Sequence, residues 1–211
     1  MAFNSSIRVL VAAFMTVMAT MTAARAEPAQ IVAFGDSLMA GYQLNPGESF
    51  PERLQAALRE RGHDVVIANA GVSGDTTTAG LARLDWSVPD GTELVILGLG
   101  ANDMLRGVDP DIPRRNLTEM IERLQARDMD VILMGMLAAP NLGASYGERF
   151  NAIYPDLAGE FGVELYPFFL DGVTTIAGMT LDDRMHPSAA GVDRMVEGVV
   201  PLVETWLSAQ E

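Results

Sequence analysis

A serine at position 37 follows Gly35 and Asp36 at the end of an apolar run that covers residues 31–34. One interpretation is structural, because Asp and Ser are both favoured at turns and at helix N-caps. The other is chemical, since a serine held at the end of a strand can act as a nucleophile. A serine hydroxyl reacts only when a base takes its proton and a third group orients that base. The rest of the chain must supply those two partners.

A candidate base, His186, lies near the end of the chain and follows Asp183 by three residues. A tight turn can place residues i and i+3 on the same side. The Asp183 carboxylate could then reach one imidazole nitrogen while the other nitrogen faces Ser37. The structural alternative is a polar turn ahead of a helix that begins at Pro187, with Asp182 or Asp183 as its cap.

The competing base is His63, the other of the two histidines in the chain. It lies in a turn between a predicted helix and the amino end of the second predicted strand. Ligands of open α/β sheets bind beyond the carboxyl ends of the strands instead. We therefore expect a structural role for His63.

Acyl transfer also requires donors that face the negative oxygen formed in the transition state. Three candidates are the backbone N–H of Ser37, the backbone N–H of Gly74 and the side-chain amide of Asn102. A glycine lets the backbone approach a ligand closely. The structural alternatives are a turn glycine at position 74 and an Asx-turn at position 102.

The elements that must position these residues alternate between short apolar runs and amphipathic segments. The predicted strands cover residues 30–35, 64–70, 93–100, 131–137 and, more weakly, 163–168. The predicted helices cover residues 49–61, 76–84, 112–127, 146–161 and 187–208. Five repeats of strand and helix predict a parallel sheet with right-handed crossovers. The fold class is α/β: a three-layer α/β/α sandwich around a five-stranded parallel sheet.

The candidate residues Ser37, Gly74 and Asn102 follow the first three predicted strands. In the flavodoxin-like strand order 2-1-3-4-5 these strands are neighbours, and ligands bind outside their carboxyl ends. Adjacent strands lie about 4.8 Å apart, so three consecutive strand ends span only about 10 Å. The three clusters are therefore expected to face one small volume, which independent caps have no reason to do.

The chain resembles the SGNH, or GDSL, family of serine hydrolases over essentially all of the sequence that follows its N-terminal segment. The likeness rests on four blocks: Gly35-Asp36-Ser37-Leu38, Gly74, Gly100-Ala101-Asn102-Asp103 and Asp183-Arg184-Met185-His186-Pro187. The stretches NAGVSGDTT, GLARL, NDMLRG and AIYPDLA further resemble a bacterial subgroup of periplasmic thioesterases, lysophospholipases and arylesterases.

The resemblance implies a role for each site residue. Ser37 would be the nucleophile, His186 the base and Asp183 the residue that orients it. Ser37, Gly74 and Asn102 would form the oxyanion hole. The expected activity is hydrolysis of acyl esters and thioesters through an acyl-enzyme on Ser37, and the expected substrate is a small acyl ester, acyl thioester or lysophospholipid.

Two loops that follow predicted strands are candidates for gripping the acyl chain. Residues 104–110 and 136–147 are rich in Met, Leu and Ala, which accept varied apolar ligands. Leu105, Leu137 and Pro140 are the predicted substrate-binding residues. The alternative is that these side chains only pack the loops against the core.

Composition excludes several kinds of chemistry. The chain contains no Lys and no Cys, so Schiff bases, thiol nucleophiles, disulfides and thiolate metal sites are excluded. Two histidines cannot form a three-histidine zinc site, and we expect neither a metal nor a cofactor. The formal net charge of −14 disfavours nucleic acid and anionic membrane surfaces as partners.

The first 26 residues have the features of a secretory signal peptide. Arg8 precedes the apolar run 9–24, and Ala24-Arg25-Ala26 fits the small-x-small cleavage signature. A run of this length is shorter than the roughly 20 residues of a spanning helix. We expect cleavage after Ala26, a single catalytic domain over residues 27–211, no stable membrane insertion after cleavage, and a periplasmic or secreted monomer.

Two other functions fit the same pattern. A carbohydrate O-deacetylase would use the same chemistry, although it would favour a more polar groove than these loops supply. A non-catalytic lipid-binding module on the same scaffold would leave Ser37 unreactive. Flavin or nucleotide binding is disfavoured because Gly98-Leu99-Gly100 is followed by Ala-Asn-Asp and by no phosphate loop.

Overall fold

The structure, a computed structural model, describes residues 27–210. The predicted signal peptide, residues 1–26, lies outside the described residues. No helix within residues 27–210 combines the length and the apolar character that crossing a membrane requires.

Five parallel strands form one sheet in the order β2-β1-β3-β4-β5, which confirms the predicted topology. The strands are β1 Ala29–Gly35, β2 Val65–Gly71, β3 Leu94–Gly98, β4 Asp130–Met134 and β5 Glu164–Tyr166. All five residues of β3 are buried, as expected for a central strand that is covered on both faces. Gly35 pairs with Gly71 on one side and with Gly98 on the other, so three strands end side by side. We call this end of the sheet the carboxyl edge and the opposite end the amino edge.

Eight α-helices surround the sheet within the described residues. They are α1 Ser37–Ala40, α2 Phe50–Glu60, α3 Thr77–Ser87, α4 Ala101–Leu105, α5 Asp111–Gln125, α6 Ala144–Asn151, α7 Ile153–Phe161 and α8 Ala189–Ala209. α2 packs against α8, whereas α3 packs against α5, which in turn contacts α7. These two groups of helices are the outer layers of the predicted sandwich.

Three strands end earlier than predicted, and the reason is local. β3 stops at Gly98 because Gly100 takes a left-handed φ of 113° and turns the chain into α4. β4 stops at Met134 because its neighbour β5 ends at Tyr166. Beyond Tyr166 the regular ladder breaks, since the Gly135 carbonyl accepts from the Phe169 N–H at 2.8 Å, one residue later than regular parallel pairing would place the donor.

Two helix predictions also needed correction. The predicted helix 146–161 is two helices, since Pro155 cannot donate to the carbonyl of Asn151, where α6 ends. The predicted helix 187–208 begins two residues later, at Ala189. Its N-cap is Ser188, whose hydroxyl accepts from the Gly191 N–H at 3.2 Å, while Pro187 pairs with Thr180 in an isolated bridge.

Candidate active site

Ser37 is the first residue of α1, directly beyond the end of β1. The preceding Asp36 caps this short helix, because its Oδ1 accepts from the Leu38 N–H at 3.0 Å. The structural interpretation of this turn is therefore confirmed, and it coexists with a serine placed at the carboxyl edge. As the first residue of a helix, Ser37 also has a backbone N–H that no intrahelical acceptor uses.

The histidine lies on a short loop, residues 179–188, at the end of the long connection between β5 and α8. The Leu181 N–H donates to the His186 carbonyl at 2.9 Å, and the Ser188 N–H donates to the Met179 carbonyl at 2.9 Å. Arg184 occupies the tip of this loop with a left-handed φ of 57°. This conformation is uncommon outside glycine, and it lets the chain reverse between Asp183 and His186.

The loop brings Asp183, His186 and Ser37 into one hydrogen-bonded row. His186 Nδ1 lies 2.6 Å from Asp183 Oδ2, and His186 Nε2 lies 2.9 Å from Ser37 Oγ. An ionised carboxylate can only accept, so Nδ1 carries the proton and Nε2 is left to accept from the Ser37 hydroxyl. The Tyr42 ring packs against the imidazole, with 4.4 Å between the ring centroids.

Backbone donors fix the Asp183 carboxylate. Its Oδ1 accepts from the His186 N–H at 3.0 Å and from the Met185 N–H at 2.9 Å. These bonds stabilise the charged form and, with the imidazole, lower the pKa of Asp183 to about 2. The carboxylate therefore keeps its negative charge beside the imidazole at any pH near neutrality.

His63 lies where the sequence placed it, in the turn between α2 and β2 at the amino edge. Its Nε2 lies 3.2 Å from Glu204 Oε1 on α8. It takes no part in the cluster around Ser37.

Gly74 and Asn102 occupy the loops that follow β2 and β3. Gly74 has a φ of 88°, and an added Cβ would meet nothing closer than Arg106 Nη2 at 3.9 Å. The left-handed backbone, more than crowding, therefore requires glycine here. The Gly74 carbonyl accepts from Arg106 Nη2 at 2.8 Å. Within residues 27–210, the Gly74 N–H has no hydrogen-bond acceptor.

Asn102 is joined to the nucleophile turn through Asp36. Its Nδ2 donates to Asp36 Oδ2 at 3.2 Å, which leaves the second amide hydrogen free. Asp36 is 1% exposed, and burial raises its pKa to about 6, against the lowering effect of the Leu38 and Asn102 hydrogen bonds. The contact between Asp36 and Asn102 was not predicted, because it joins residues 66 positions apart.

A second buried carboxylate, Asp103, ties α4 to α3. It accepts from the Thr77 N–H at 2.8 Å and from the Thr77 hydroxyl at 2.7 Å, and Asn116 Nδ2 donates to that hydroxyl at 2.9 Å. Desolvation raises the pKa of Asp103. The loop that carries Gly74 ends at Thr77, so this bridge connects the Gly74 loop to the helix that carries Asn102.

A cleft of about 450 Å³ opens beside Ser37 and His186. The three predicted substrate-binding residues, Leu105, Leu137 and Pro140, all line it. Leu105 is 55% exposed and Leu137 is 44% exposed, so these two side chains are not packed into the core.

The cleft has further lining residues that sequence reasoning missed. They are Phe168, Leu170, Thr174 and Met185. The only signal was the apolar character of FFL at residues 168–170, which was assigned in part to the fifth strand. Because β5 ends at Tyr166, these side chains are free to turn toward the cleft.

Comparison with known proteins identifies the family of the chain. Residues 33–194 match the GDSL-like Lipase/Acylhydrolase family. The matched segment contains every member of the row from Ser37 to His186, together with Gly74 and Asn102.

Individual relatives are similar over most of their length. An arylesterase of Vibrio mimicus is 42% identical over 171 residues, which are 79% of this chain and 84% of the relative. The "Thioesterase 1/protease 1/lysophospholipase L1" of Escherichia coli is 33% identical, covering 100% of this chain and 95% of the relative. The crystal structure of AlinE4, an SGNH-hydrolase family esterase, matches at a TM-score of 0.73 and 47% identity over 87% of this chain and 99% of that chain. The chain thus belongs to the GDSL-like lipase/acylhydrolase, or SGNH hydrolase, family and is a carboxylic ester hydrolase.

Proposed function

We propose that the protein hydrolyses acyl esters and acyl thioesters, including aryl esters and lysophospholipids, through an acyl-enzyme on Ser37. The single observation that carries this proposal is the row in which Ser37 Oγ lies 2.9 Å from His186 Nε2 and His186 Nδ1 lies 2.6 Å from Asp183 Oδ2. This order of hydroxyl, imidazole and carboxylate is the one that activates a serine.

In the first step, Ser37 Oγ attacks the acyl carbonyl carbon while its proton moves to His186 Nε2. A bond forms between Oγ and carbon, and the carbonyl π electrons move onto the carbonyl oxygen. The imidazolium that results lies against the Asp183 carboxylate, which is ionised because its pKa is about 2. This charge pair favours proton uptake by the imidazole in the transition state.

The negative oxygen of the tetrahedral intermediate is bound by the N–H groups of Ser37 and Gly74 and by the side-chain amide of Asn102. Support comes from the free backbone donors at positions 37 and 74 and from the Asp36 carboxylate, which holds one hydrogen of the Asn102 amide and leaves the other available. Loss of one such donor typically lowers kcat by about 10²–10³-fold.

The intermediate collapses when the bond between carbon and the leaving oxygen or sulfur breaks. His186 returns its proton to the leaving group, and the acyl group remains on Ser37. A water molecule then attacks the acyl-enzyme while Nε2 takes its proton, and the released fatty acid regenerates the free hydroxyl. No step requires a metal or a cofactor.

The lining of the cleft supports an acyl chain as the group that lies beside Ser37. Leu105, Leu137 and Pro140 line the cleft, as does the segment around Phe168 and Leu170. These apolar side chains favour a hydrocarbon over a sugar, so a carbohydrate O-deacetylase fits this cleft less well. The relatives named arylesterase and thioesterase/lysophospholipase act on the ester classes that we propose here.

We further propose that the enzyme is exported, that it is periplasmic or secreted, and that residues 1–26 are removed to leave one catalytic domain over residues 27–211. The signature Ala24-Arg25-Ala26 supports cleavage before Glu27. Amino-terminal sequencing of the protein from the periplasmic or extracellular fraction should begin at Glu27.

The activity is tested with a chain-length series of p-nitrophenyl esters and acyl thioesters, comparing the wild type with Ser37→Ala. We expect turnover of both classes by the wild type and loss of nearly all turnover in the variant. A non-catalytic lipid-binding module would turn over neither class. A Ser37→Ala enzyme with undiminished kcat would overturn the proposed nucleophile.

A further inference from the structure

Arg83, on α3, is the one arginine within residues 27–210 whose residue is buried. Its side chain is 9% exposed, although the chain is strongly acidic and has ample surface for a cation. Arg83 does not line the cleft, so it meets no substrate there. A buried guanidinium this close to the site calls for a physical explanation.

At the carboxyl edge the guanidinium donates to two backbone carbonyls and to one side-chain carboxylate. Nη2 donates to the Gly35 carbonyl at 2.8 Å, and Nη1 donates to the Ala70 carbonyl at 2.9 Å. Nε donates to Asp75 Oδ2 at 2.6 Å. The plane of the guanidinium also lies over the Phe34 ring, 4.1 Å from its centroid.

Each of these contacts is next to a proposed oxyanion donor. Gly35 lies two residues before Ser37, at the end of β1, and Ala70 lies at the end of β2, where the Gly74 loop begins. Asp75 is the residue after Gly74. One rigid side chain therefore connects the strand end that leads to Ser37 with both ends of the segment that contains Gly74.

Stability alone is a weak explanation for such a group. Replacing a buried ion pair with apolar residues is often neutral or stabilising, so the pair of Arg83 and Asp75 is not needed merely to fill space. Arginine offers five donors in a fixed planar arrangement, whereas lysine offers three on a flexible stem. The observed contacts use that planar geometry in three directions.

We infer that Arg83 is a positioning residue for the reaction: it sets the separation between the N–H groups of Ser37 and Gly74 that bind the negative oxygen. This role rests on the proposed function of those two donors. Arg83 touches neither the substrate nor the reacting atoms, and it acts through Gly35, Ala70 and Asp75. Its contribution should therefore appear in the transition state and not in ground-state binding.

The test measures kcat and KM of Arg83→Gln with p-nitrophenyl butyrate, together with inhibition by butylboronic acid, whose adduct with serine is a negatively charged tetrahedral boronate that resembles the tetrahedral intermediate. We expect kcat to fall by about 30–100-fold, as for partial loss of an oxyanion donor, with KM within about threefold of wild type. The inhibition constant of the boronic acid should rise by a factor similar to the loss in kcat. A purely structural role would not produce this parallel.

Arg127 provides a matched control at the amino edge. It lies in the turn that follows α5, and its Nη2 donates to the Val88 carbonyl at 2.7 Å and to Asp90 Oδ1 at 2.8 Å, so it also joins a backbone carbonyl and a carboxylate. Arg127→Gln should lower the midpoint of thermal unfolding while leaving kcat and the boronic acid constant within twofold of wild type. Equal losses of kcat in Arg127→Gln and Arg83→Gln would overturn the positioning role.

Arg83→Lys keeps the positive charge and is the variant to measure if Arg83→Gln does not fold. It should lose about 3–10-fold in kcat, because a lysine cannot hold the three acceptors together. Wild-type kcat and boronic acid affinity in Arg83→Lys would overturn the inference. Ser37→Ala and Asn102→Ala are measured in parallel. If they lose activity while Arg83→Gln keeps it, the proposed function stands and only the role of Arg83 falls.

Discussion

The two histidines occupy opposite edges of one sheet, and each contacts a carboxylate. His186 lies 2.6 Å from Asp183 at the carboxyl edge, and His63 lies 3.2 Å from Glu204 at the amino edge. Both pairs are similarly exposed, with side-chain exposures of 19% and 29% for the first and 28% and 29% for the second. Only the imidazole of His186 also meets a serine hydroxyl. The two pairs therefore differ in the strand end that each one faces.

The two edges also differ in their cavities. A depression of about 620 Å³ at the amino edge is larger than the cleft of about 450 Å³ at the carboxyl edge. Its wall includes Asp130, whose carboxylate already accepts from Trp206 Nε1 at 2.7 Å, and it contains neither serine nor histidine. Converging donors and acceptors, and not volume, therefore distinguish the candidate site.

Substituting each histidine tests most directly whether only the one at the carboxyl edge supports catalysis. His186→Gln should lower kcat for p-nitrophenyl esters by at least about 10⁴-fold, because removing the base of a serine triad costs about as much as removing the nucleophile. His63→Gln should keep kcat within twofold of wild type. Steady-state kinetics of the two purified variants test both expectations, and comparable losses in the two would contradict the assignment.

The carboxylates give the next largest effect. Asp183→Asn should lower kcat by about 10²–10⁴-fold, because the amide no longer selects the Nδ1–H tautomer or stabilises the imidazolium. Glu204→Gln is the matched change at the amino edge, and it should leave kcat unchanged. Measurements at pH 8 keep the wild-type Asp183 carboxylate ionised, because its pKa is about 2. Full activity in Asp183→Asn would separate Asp183 from the mechanism.

The candidate site residues at the strand ends could be predicted from the sequence, because parallel strands place their carboxyl ends at one edge. Ser37, Gly74 and Asn102 each follow a strand, and the spacing from Asp183 to His186 suits a tight turn. The strand order has a separate basis, because alternating strands and helices permit only a few right-handed arrangements.

What could not be predicted depends on contacts between residues distant in sequence. Arg83 occupies a helical position that looks solvated in the sequence, and its burial depends on carbonyls 13 and 48 residues away. The link between Asp36 and Asn102 is of the same kind. The part of the cleft lining that follows β5 was missed because the end of β5 is set by its pairing with β4, which the apolar run at residues 163–168 does not reveal.

At the carboxyl edge, burial disfavours the charged form of Asp36. The effect can be measured as a pH dependence of the free energy of unfolding. Burial raises the pKa of Asp36 to about 6, so between pH 4 and 6 the folded chain retains a proton that the unfolded chain releases. The difference in proton binding lowers the free energy of unfolding as pH rises. Asp36→Asn has no carboxyl group at this position and so lacks this pH dependence.

From pH 4 to pH 7 the free energy of unfolding of Asp36→Asn should therefore rise relative to that of the wild type by roughly 2 kcal/mol. A constant offset from the altered contact with Asn102 does not affect this trend. Urea unfolding at several pH values measures it. A difference that does not change with pH would contradict the raised pKa.

The smallest effect concerns the apolar side chains at the two edges. Leu137→Gln should reduce kcat/KM for long-chain esters by about 3–10-fold relative to acetate esters, because one buried apolar contact is lost. Trp86 is the control: it is 76% exposed and lies in the last turn of α3, which leads to the amino edge. Trp86→Gln should leave the chain-length profile unchanged, and an identical profile in Leu137→Gln would reject the acyl-chain cleft.

The central claim is that the serine at the carboxyl edge is the nucleophile, and covalent labelling tests it most directly. The wild-type enzyme is treated with an excess of a p-nitrophenyl phosphonate, digested and analysed by mass spectrometry, with Ser37→Ala and His186→Gln in parallel. We predict one phosphonyl group per chain on the peptide that contains Ser37, no label in Ser37→Ala and strongly slowed labelling in His186→Gln. Label on another residue, or none on active wild-type enzyme, would contradict the account.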